Sequence, residues 1–382
     1  MNGCRVAIVA DDLTGALDAA APFAARGAQA RVVIAPERLE AALSAWGEAP
    51  PEVIAVNTES RHLPAAEAAE RVATVTRRLA PYTPTVWFKK VDSTLRGQVV
   101  AESLAMRDVV PRRLLVAPAV PAQGRTVCEG RVWVEGEPLG DSLERAFGAA
   151  GVPLAKHAKP CDAPLPEGDC VADTASDREL ACLYDAVLSA PGHWLLVGAA
   201  GLATAVAQRC FGLLRAAPCP LVGVERVLYA VGSRAQRTQE QERRLREHVP
   251  ALARLTALKG GDEEATAVLL TPGADDDTEL APSQIAAAMG EAALRTVSHW
   301  PEAATGLLFL SGGDIAVATL SRLGGAVIAV EAEWAPGIAL GHLEGAPQRL
   351  VMTKAGGFGD ADLLVRLHDR LGLESASSLS TS

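Results

Sequence analysis

The sequence predicts an α/β protein with two domains, each built on a mostly parallel sheet flanked by helices. Three observations support this fold class. Short β-branched runs alternate with amphipathic stretches, the 382 residues exceed what one ordinary core accommodates, and a proline-rich segment interrupts the pattern near residue 220. Such alternation is typical of parallel sheets, because a crossover segment must carry the chain back between parallel strands.

The first predicted domain covers residues 1–215. Its predicted strands are short apolar runs: RVAIVA, ARVVIA, EVIAVN, TVWFKK, RRLLVAPA and the start of HWLLVGAAGLATAVAQ. Stretches between them, such as LDAAAPFAARG and AAEAAERVATVTRRLA, have the periodicity of helices. One segment interrupts the alternation, because TVCEGRVWVEGEPL has the pattern of a β-hairpin and contains the turn-like EGE.

The second predicted domain covers residues 222–374 and follows the linker RAAPCPLVGVE, where Pro218 and Pro220 exclude a helix. The alternation then resumes. Its predicted strands lie in RVLYAVGS, TAVLLTP, GLLFLSGGD, AVIAVE and RLVMTKAGGFG, with helices that include QRTQEQERRLREH and DADLLVRLHDRL. The small polar residues 375–382 are predicted to be disordered.

Composition excludes several classes of function. The net charge of -10 and the isoelectric point near 5.3 argue against binding to nucleic acid or to an anionic membrane, since both require a basic surface. The seven cysteines form no CxxC pair and predict reduced thiols in a cytoplasmic protein. The start MNGCRVAIVADD matches neither a signal peptide nor a membrane anchor.

Charged residues collect behind the predicted strands of the first domain. VAIVADDLTG places Asp11 and Asp12 directly after a strand, EVIAVNTESR ends at Arg61, and TVWFKKVDSTLRG has two lysines, an aspartate and an arginine within eight residues. The carboxyl ends of parallel strands are where ligands bind in α/β sheets. We therefore expect these side chains to form one ligand site.

Two interpretations of these residues remain open. For Asp11 or Thr14 alone, capping of the following helix is about as good an explanation as catalysis. The denser cluster favours a ligand with both an anionic group and hydroxyls, because lysine and arginine bind carboxylates while aspartate accepts hydroxyl hydrogens. A polyhydroxy acid fits this description.

The second half has a different pattern at its strand ends. GLLFLSGGDIA and VMTKAGGFGDADLL each run from an apolar strand into adjacent glycines and a helix, and Ser233 follows a third strand in AVGSRAQRTQ. Glycines let backbone N–H groups approach phosphate, so the three segments together predict one nucleotide site. A P-loop and the first-strand GxGxxG of a dinucleotide-binding dehydrogenase are both absent from the sequence.

A resemblance covers nearly the whole chain. In order, VADDLTGALDAAAPFAARG, NTESR, FKKVDSTLRG, APAVPAQGRTVCEGRVWVEGEPL, SGGDIA, PGIALGHLEG and VMTKAGGFGD resemble the four-carbon acid sugar kinase family. That family includes threonate, erythronate and 3-oxo-tetronate 4-kinases. The resemblance implies an N-terminal domain that binds the acid, a C-terminal domain that binds ATP, and an active site in the cleft between them.

The resemblance also implies site residues, matched motif by motif. The acid would be contacted by Asp12, Arg61, Lys89, Lys90, Val91 and Asp92. ATP would be contacted by Ser233, Gly312, Gly313, Asp314, Ile315 and Gly356. Ile315 departs from the family pattern, since many members carry a hydroxyl after GGD.

Roles follow from charge type, because phosphoryl transfer depends on positioning and charge neutralisation. The cations Lys89, Lys90, Arg61 and Arg96 would hold the acid carboxylate or the migrating phosphoryl group. Asp12 is the expected general base, with Asp92 as the next candidate. We expect Mg²⁺ as a cofactor, with Asp314 and Asp360 as candidate ligands.

Two alternatives to a kinase of a four-carbon sugar acid stay open at the level of sequence. A nicotinamide-dependent sugar-acid dehydrogenase would share the sheets and the substrate class. A non-catalytic sugar-acid sensor would need the basic pocket without the second glycine-rich site. A homodimer is a further expectation.

Overall fold

The structure is a computed structural model that describes residues 3–215, 221–257, 265–273 and 281–373. The chain divides into two compact units, an N-terminal unit that ends at Arg215 and a C-terminal unit that begins at Ala216. No helix among these described residues is both long and apolar enough to cross a membrane. The tail 375–382, predicted to be disordered, lies outside the described residues.

The N-terminal unit contains a sheet of parallel strands in the order β2-β3-β1-β4-β11-β5-β10-β9. These strands are β1 Val6–Ala10, β2 Ala30–Val33, β3 Val53–Asn57, β4 Val86–Lys90, β5 Arg113–Ala117, β9 Ala155–His157, β10 Cys170–Ala172 and β11 Trp194–Gly198. Every residue of β1, β3 and β11 is buried, as expected for strands covered by helices on both faces.

Helices of the N-terminal unit connect the parallel strands. They are α1 Leu13–Ala24, α2 Leu39–Trp46, α3 Ala65–Leu79, α4 Val99–Val109, α5 Leu143–Ala149, α6 Asp177–Ser189 and α7 Ala200–Phe211. Side chains cap several of them: Asp12 accepts from the Gly15 N–H at the start of α1, and Ser176 accepts from the Glu179 N–H at the start of α6.

A small antiparallel sheet lies where the sequence predicted a hairpin. It consists of β6 Arg125–Cys128, β7 Arg131–Val134 and β8 Glu137–Leu139, in that order. The turn between β7 and β8 holds Glu135 and Gly136 at φ of 51° and 90°. Such left-handed residues form the tight turns that join antiparallel strands. The predicted hairpin is thus part of a three-stranded sheet.

The C-terminal unit has a second sheet, in the order β13-β14-β12-β15-β18-β17-β16. Its strands are β12 Arg226–Val231, β13 Ala253–Thr256, β14 Ala267–Thr271, β15 Gly306–Ser311, β16 Val327–Ala335, β17 Ile338–Leu343 and β18 Ala346–Lys354. Its helices are α8 Gln236–His248, α9 Pro282–Ser298, α10 Gly313–Arg322 and α11 Leu363–Leu371. With two mostly parallel sheets, the structure confirms the predicted fold class.

The last three strands of this unit form an antiparallel meander that the sequence analysis did not separate. β17 pairs antiparallel with both β16 and β18. Only two residues separate β16 from β17, and two more separate β17 from β18. Connections this short join antiparallel neighbours, whereas parallel neighbours need a crossover.

One cysteine prediction is wrong. Cys161 and Cys182 form a disulfide, with their Cα atoms 5.0 Å apart, whereas the sequence predicted reduced thiols throughout. The two residues are 21 positions apart, and they meet because α6 packs beside the segment that follows β9. Free thiols among the described residues are Cys4, Cys128, Cys170 and Cys210.

Candidate active site

Three neighbouring strands bring the charged motifs of the N-terminal unit together. β1 lies between β3 and β4, and all three run parallel, with Ala10 paired to Asn57 on one side and Lys90 on the other. The residues that follow each strand therefore emerge at the same edge of the sheet. We call the cluster formed there by Asp11, Asp12, Arg61, Lys90 and Asp92 the charged cluster.

Arg61 is at the centre of the charged cluster. Its Nε and Nη2 donate to the two carboxylate oxygens of Asp11 at 2.9 and 2.8 Å, and its Nη1 donates to Asp12 Oδ2 at 2.5 Å. Burial tends to lower the pKa of Arg61, but Asp12 and Asp11 outweigh it and raise that pKa. Three of its five N–H groups are used in these bonds and Nη2 also lies 4.0 Å from Asp92 Oδ1, so the second N–H of Nη1 is the one best placed for a ligand.

Asp11 is the buried anchor of this pair. Burial tends to raise its pKa, but Arg61 and the ammonium groups of Lys89 and Lys90 hold the pKa below its ordinary value. Asp11 is therefore ionised in the folded protein at neutral pH. Its bidentate geometry fixes the orientation of the Arg61 guanidinium.

Asp12 both caps helix α1 and pairs with Arg61. Its Oδ1 accepts from the Gly15 N–H at 2.7 Å, which caps α1, and its Oδ2 accepts from Thr14 Oγ1 at 2.7 Å and from Arg61. The side chain is 15% exposed. A carboxylate has about four lone-pair sites. Asp12 thus retains capacity for one more hydrogen bond.

The Oδ2 oxygen of Asp92 is saturated by its own loop. The carboxylate accepts from the Thr94 N–H at 3.0 Å and the Thr94 hydroxyl, and from Arg96 Nε and Nη2 at 3.0 and 2.7 Å. Burial tends to raise its pKa, but the hydrogen bonds from Arg96 and Thr94 hold the pKa far below its usual range. Asp92 shapes the loop after β4 and accepts protons poorly.

Lys89 points into the core of the unit. Its Nζ lies 2.7 Å from Oε2 of Glu102 on α4, and both side chains are buried. The same ammonium donates to the carbonyls of Lys90 at 2.9 Å and Val9 at 3.4 Å. All three donors of Lys89 therefore have partners inside the protein.

Lys90, the next residue, points the opposite way, as successive residues of a strand do. Its ammonium donates to the Val91 carbonyl at 2.9 Å, and within the described ranges no carboxylate lies within ion-pair distance of it. A Cβ built on Gly15 would lie 3.3 Å from Lys90 Nζ, so the ammonium sits against the first turn of α1. Lys90 is buried with donors left over for a ligand.

Three strand ends meet in the C-terminal unit as well. Ser233 follows β12, Gly312 follows β15 and Gly356 follows β18, and β15 lies between the other two strands. A Cβ on Gly356 would lie 2.1 Å from Ser233 Oγ, and one on Gly312 would lie 3.7 Å from the Ser233 N–H nitrogen. The backbone here approaches as closely as glycine allows.

The residues after Gly312 begin helix α10. Gly312 has φ of 111°, which favours glycine, and α10 starts at Gly313 with Asp314 exposed in its first turn. Ile315 is buried, and a Cβ on Gly232 would lie 2.3 Å from its Cγ1. Ile315 therefore supports the turn before Ser233 by packing.

Comparisons with known proteins match both units. The sugar-binding N-terminal domain family matches residues 6–146, and the nucleotide-binding C-terminal domain family matches residues 261–364. The D-threonate kinase of Cupriavidus necator is 32% identical over 407 residues, which cover 92% of this chain and 94% of that protein. The chain belongs to the four-carbon acid sugar kinase family.

Other members of this family are similarly related. The D-threonate kinase of Bordetella bronchiseptica is 31% identical, with 96% of this chain and 97% of that protein covered. The 3-oxo-tetronate kinase of Methylobacterium radiotolerans is 28% identical, with 95% and 98% covered. A solved structure from Salmonella typhimurium has a TM-score of 0.73 at 19% identity, covering 96% of this chain and 99% of that one, and supports the fold alone.

Kinases of this family would use a divalent cation, and the two candidate ligands differ in how well they fit one. Both carboxylate oxygens of Asp360 accept from Arg366, at 2.6 and 2.7 Å, so Asp360 does not fit a direct ligand. Asp314 is exposed beside Gly312 and Gly313 and fits the small number of carboxylates that Mg²⁺ takes besides phosphate oxygens. No group of three or more metal-binding side chains occurs among the described residues.

Four buried polar residues that support the candidate sites were not predicted from the sequence. Glu102 is the buried partner of Lys89. Lys354, at the end of β18, and Thr238 and Gln241 on α8 donate to backbone carbonyls of the loop that follows β18. For Lys354 the sequence did carry a signal, because VMTK places a lysine at the end of an apolar strand. The signal for Thr238 and Gln241 was Leu245, the one apolar residue of the predicted helix, because positions 238, 241 and 245 share a helix face.

Proposed function

We propose that the protein is an ATP-dependent kinase that phosphorylates a four-carbon sugar acid of the tetronate class at its 4-hydroxyl. The observation that carries the proposal is the pairing, in one chain, of the charged cluster with the three glycine-rich strand ends of the C-terminal unit. Relatives matched along nearly the whole chain are called D-threonate and 3-oxo-tetronate kinases. ATP is an intracellular metabolite, so we expect the enzyme to act in the cytoplasm.

The acid would bind at the charged cluster. Lys90 supplies an ammonium with unused donors for the carboxylate or the migrating phosphoryl group, and Arg61 and Arg96 supply N–H groups not used within the protein. The Val91 carbonyl orients Lys90. We assign Lys89 a supporting role, because its donors are already used and its side chain is buried.

Asp12 is the proposed general base. Asp12 Oδ1 has capacity for one further hydrogen bond, whereas the hydrogen bonds from Arg96 and Thr94 hold the pKa of Asp92 far below its usual range. In the reaction the 4-hydroxyl of the acid gives its proton to Asp12, and the hydroxyl oxygen forms a bond to the γ-phosphorus of ATP. The bond between that phosphorus and the oxygen that bridges it to the β-phosphorus breaks, which releases ADP.

ATP would bind at the glycine-rich strand ends. Ser233, Gly312, Gly313 and Gly356 offer a hydroxyl and close backbone approach to the phosphates. The helix that begins at Gly313 adds the positive end of its dipole. A Mg²⁺ ion bound with Asp314 would neutralise phosphate charge when present.

The test is ADP release from the full chain with ATP, Mg²⁺ and a panel of C4 acids that includes D-threonate, D-erythronate and a 3-oxo-tetronate. We expect one acid to stimulate ADP release, and phosphorus NMR of the product to place the phosphate on the 4-oxygen. If no acid of the panel stimulates ADP release by folded protein, the proposal is wrong. With NAD⁺ added to the same panel, NADH formation without ADP would point to a dehydrogenase, and acid binding with neither product would point to a sensor.

A further inference from the structure

The loop that follows β18 has its carbonyls held by three side chains. We call residues 355–360 the glycine loop. Thr238 Oγ1 donates to the Gly356 carbonyl at 2.6 Å, and Lys354 Nζ donates to the carbonyls of Ala355 and Gly356 at 3.2 and 3.1 Å. Gln241 Nε2 donates to the carbonyls of Phe358 and Asp360 at 3.0 and 2.7 Å. We call Lys354, Thr238 and Gln241 the clasp.

The direction of the hydrogen bonds in the clasp is fixed when Lys354 is protonated. Lys354 Nζ lies 3.0 Å from Thr238 Oγ1, and an ammonium only donates. The Thr238 hydroxyl therefore accepts from Lys354 and gives its own hydrogen to the Gly356 carbonyl. All three clasp side chains belong to residues with no exposed surface, so water does not compete for these bonds.

The held carbonyls determine where the loop's N–H groups point. In a trans peptide the C=O and the following N–H point in opposite directions, and the described residues contain no cis peptide. Since the carbonyls of Ala355 and Gly356 face the clasp, the N–H groups of Gly356 and Gly357 face away from it. Neither N–H donates to an acceptor among the described residues.

When Lys354 is protonated, the clasp also carries a positive charge that its surroundings do not neutralise. Among the described residues, no carboxylate lies within ion-pair distance of Lys354, and burial lowers the pKa of its ammonium to about 7. A buried cation without a counter-ion is unfavourable until an anion arrives.

We propose that Lys354, Thr238 and Gln241 are positioning residues for ATP: they fix the carbonyls of the glycine loop so that the N–H groups of Gly356 and Gly357 are presented to the phosphates. This inference rests on the proposed function. It concerns residues that reach the nucleotide through the loop, and it explains why a polar helix, α8, turns Thr238 and Gln241 toward β18.

The experiment compares Thr238→Val with Thr238→Ser in the full chain. Valine keeps the shape and removes the hydroxyl, and serine restores it. We expect Thr238→Val to weaken ATP binding roughly three- to tenfold in calorimetric titration and to raise the KM for ATP by the same factor, with little change in kcat or in the KM for the acid. Thr238→Ser should stay near the parent values.

Two further variants make the test sharper. Gln241→Met should weaken ATP binding by a similar factor, whereas Gln239→Leu, on the exposed face of the same helix, should leave it unchanged. Folding of each variant is checked by its melting temperature. Folded Thr238→Val and Gln241→Met proteins that bind ATP as tightly as the parent would overturn the inference, and so would an equal loss of affinity for ATP and acid.

The outcomes for the two proposals are separable. If the parent protein binds no ATP, the proposed function fails. If the parent binds ATP and the clasp variants bind it equally well, the inference about the clasp fails while the proposed function stands.

Discussion

The ammonium of Lys89 lies 2.7 Å from Oε2 of Glu102, and the two side chains are 0% and 1% exposed. The pair joins β4 to α4, the two elements connected by the loop that carries Asp92. A buried ion pair of this kind contributes most visibly when one partner is removed, because the other is left as an uncompensated buried charge.

We therefore expect Lys89→Met to lower the free energy of unfolding by about 3 to 5 kcal/mol. The double variant Lys89→Met with Glu102→Leu should recover much of the loss, since neither charge remains. Urea unfolding of the parent, both single variants and the double variant measures the coupling. If the double variant lost as much free energy of unfolding as the two single variants combined, the two residues would not interact.

Asp12→Asn tests the proposed general base. Asparagine can still cap α1 but loses the ion pair with Arg61, so we expect a folded protein whose free energy of unfolding is lower by about 1 to 3 kcal/mol. The kcat should fall by a factor on the order of 10² or more, because the amide cannot take the hydroxyl proton. Asp92→Asn provides the comparison and should affect kcat less. An unchanged kcat for Asp12→Asn would remove the base role from this residue.

Lys90→Met tests which lysine contacts the acid. Loss of a charge-assisted hydrogen bond should raise the KM for the acid roughly ten- to a hundredfold and leave the KM for ATP nearly unchanged. The control is Lys159→Met, an exposed lysine of the same unit. Steady-state kinetics with each substrate varied separately gives both constants. A larger effect on ATP than on the acid would contradict the assignment of the charged cluster to the acid.

Gly356→Ala tests the close approach of two strand ends. The added Cβ would lie 2.1 Å from Ser233 Oγ, so Ser233 or the glycine loop must move. We expect a rise of roughly tenfold or more in the KM for ATP, with acid binding unaffected. Gly148→Ala, where a Cβ meets nothing within 4 Å, serves as the control. Equal ATP affinity in both variants would argue against a phosphate site here.

Lys354 predicts how stability depends on pH. Burial lowers its pKa from 10.5 to about 7, so the unfolded chain binds more protons than the folded protein between those values. The free energy of unfolding should therefore rise with pH across this window, by up to about 1.4 kcal/mol per pH unit from this group. Denaturant unfolding from about pH 7 to pH 10 should show this contribution in the parent and lose it in Lys354→Met. Parallel profiles for the two proteins would mean that Lys354 does not titrate there.

The sequence by itself determined the fold class, the segments that form most strands and the family. Alternation of apolar runs reports which segments are buried, and the carboxyl ends of parallel strands must share an edge, so motifs such as VAIVADD and TVWFKKVDS were expected together without coordinates. The antiparallel arrangement of β16, β17 and β18 was missed, because PGIALGHLEG was used as a motif and not assigned to a strand.

Only the tertiary structure decided what each buried polar group contacts. Lys89 and Lys90 are neighbours with identical chemistry, yet the pleat of β4 directs one ammonium to Glu102 and leaves the other beside α1. The clasp formed by Lys354, Thr238 and Gln241 joins residues more than 100 positions apart, as the separation of 116 between Lys354 and Thr238 shows. Local periodicity tells which residues are inside, but the pairing of buried charges and donors depends on how a particular helix packs on a particular strand.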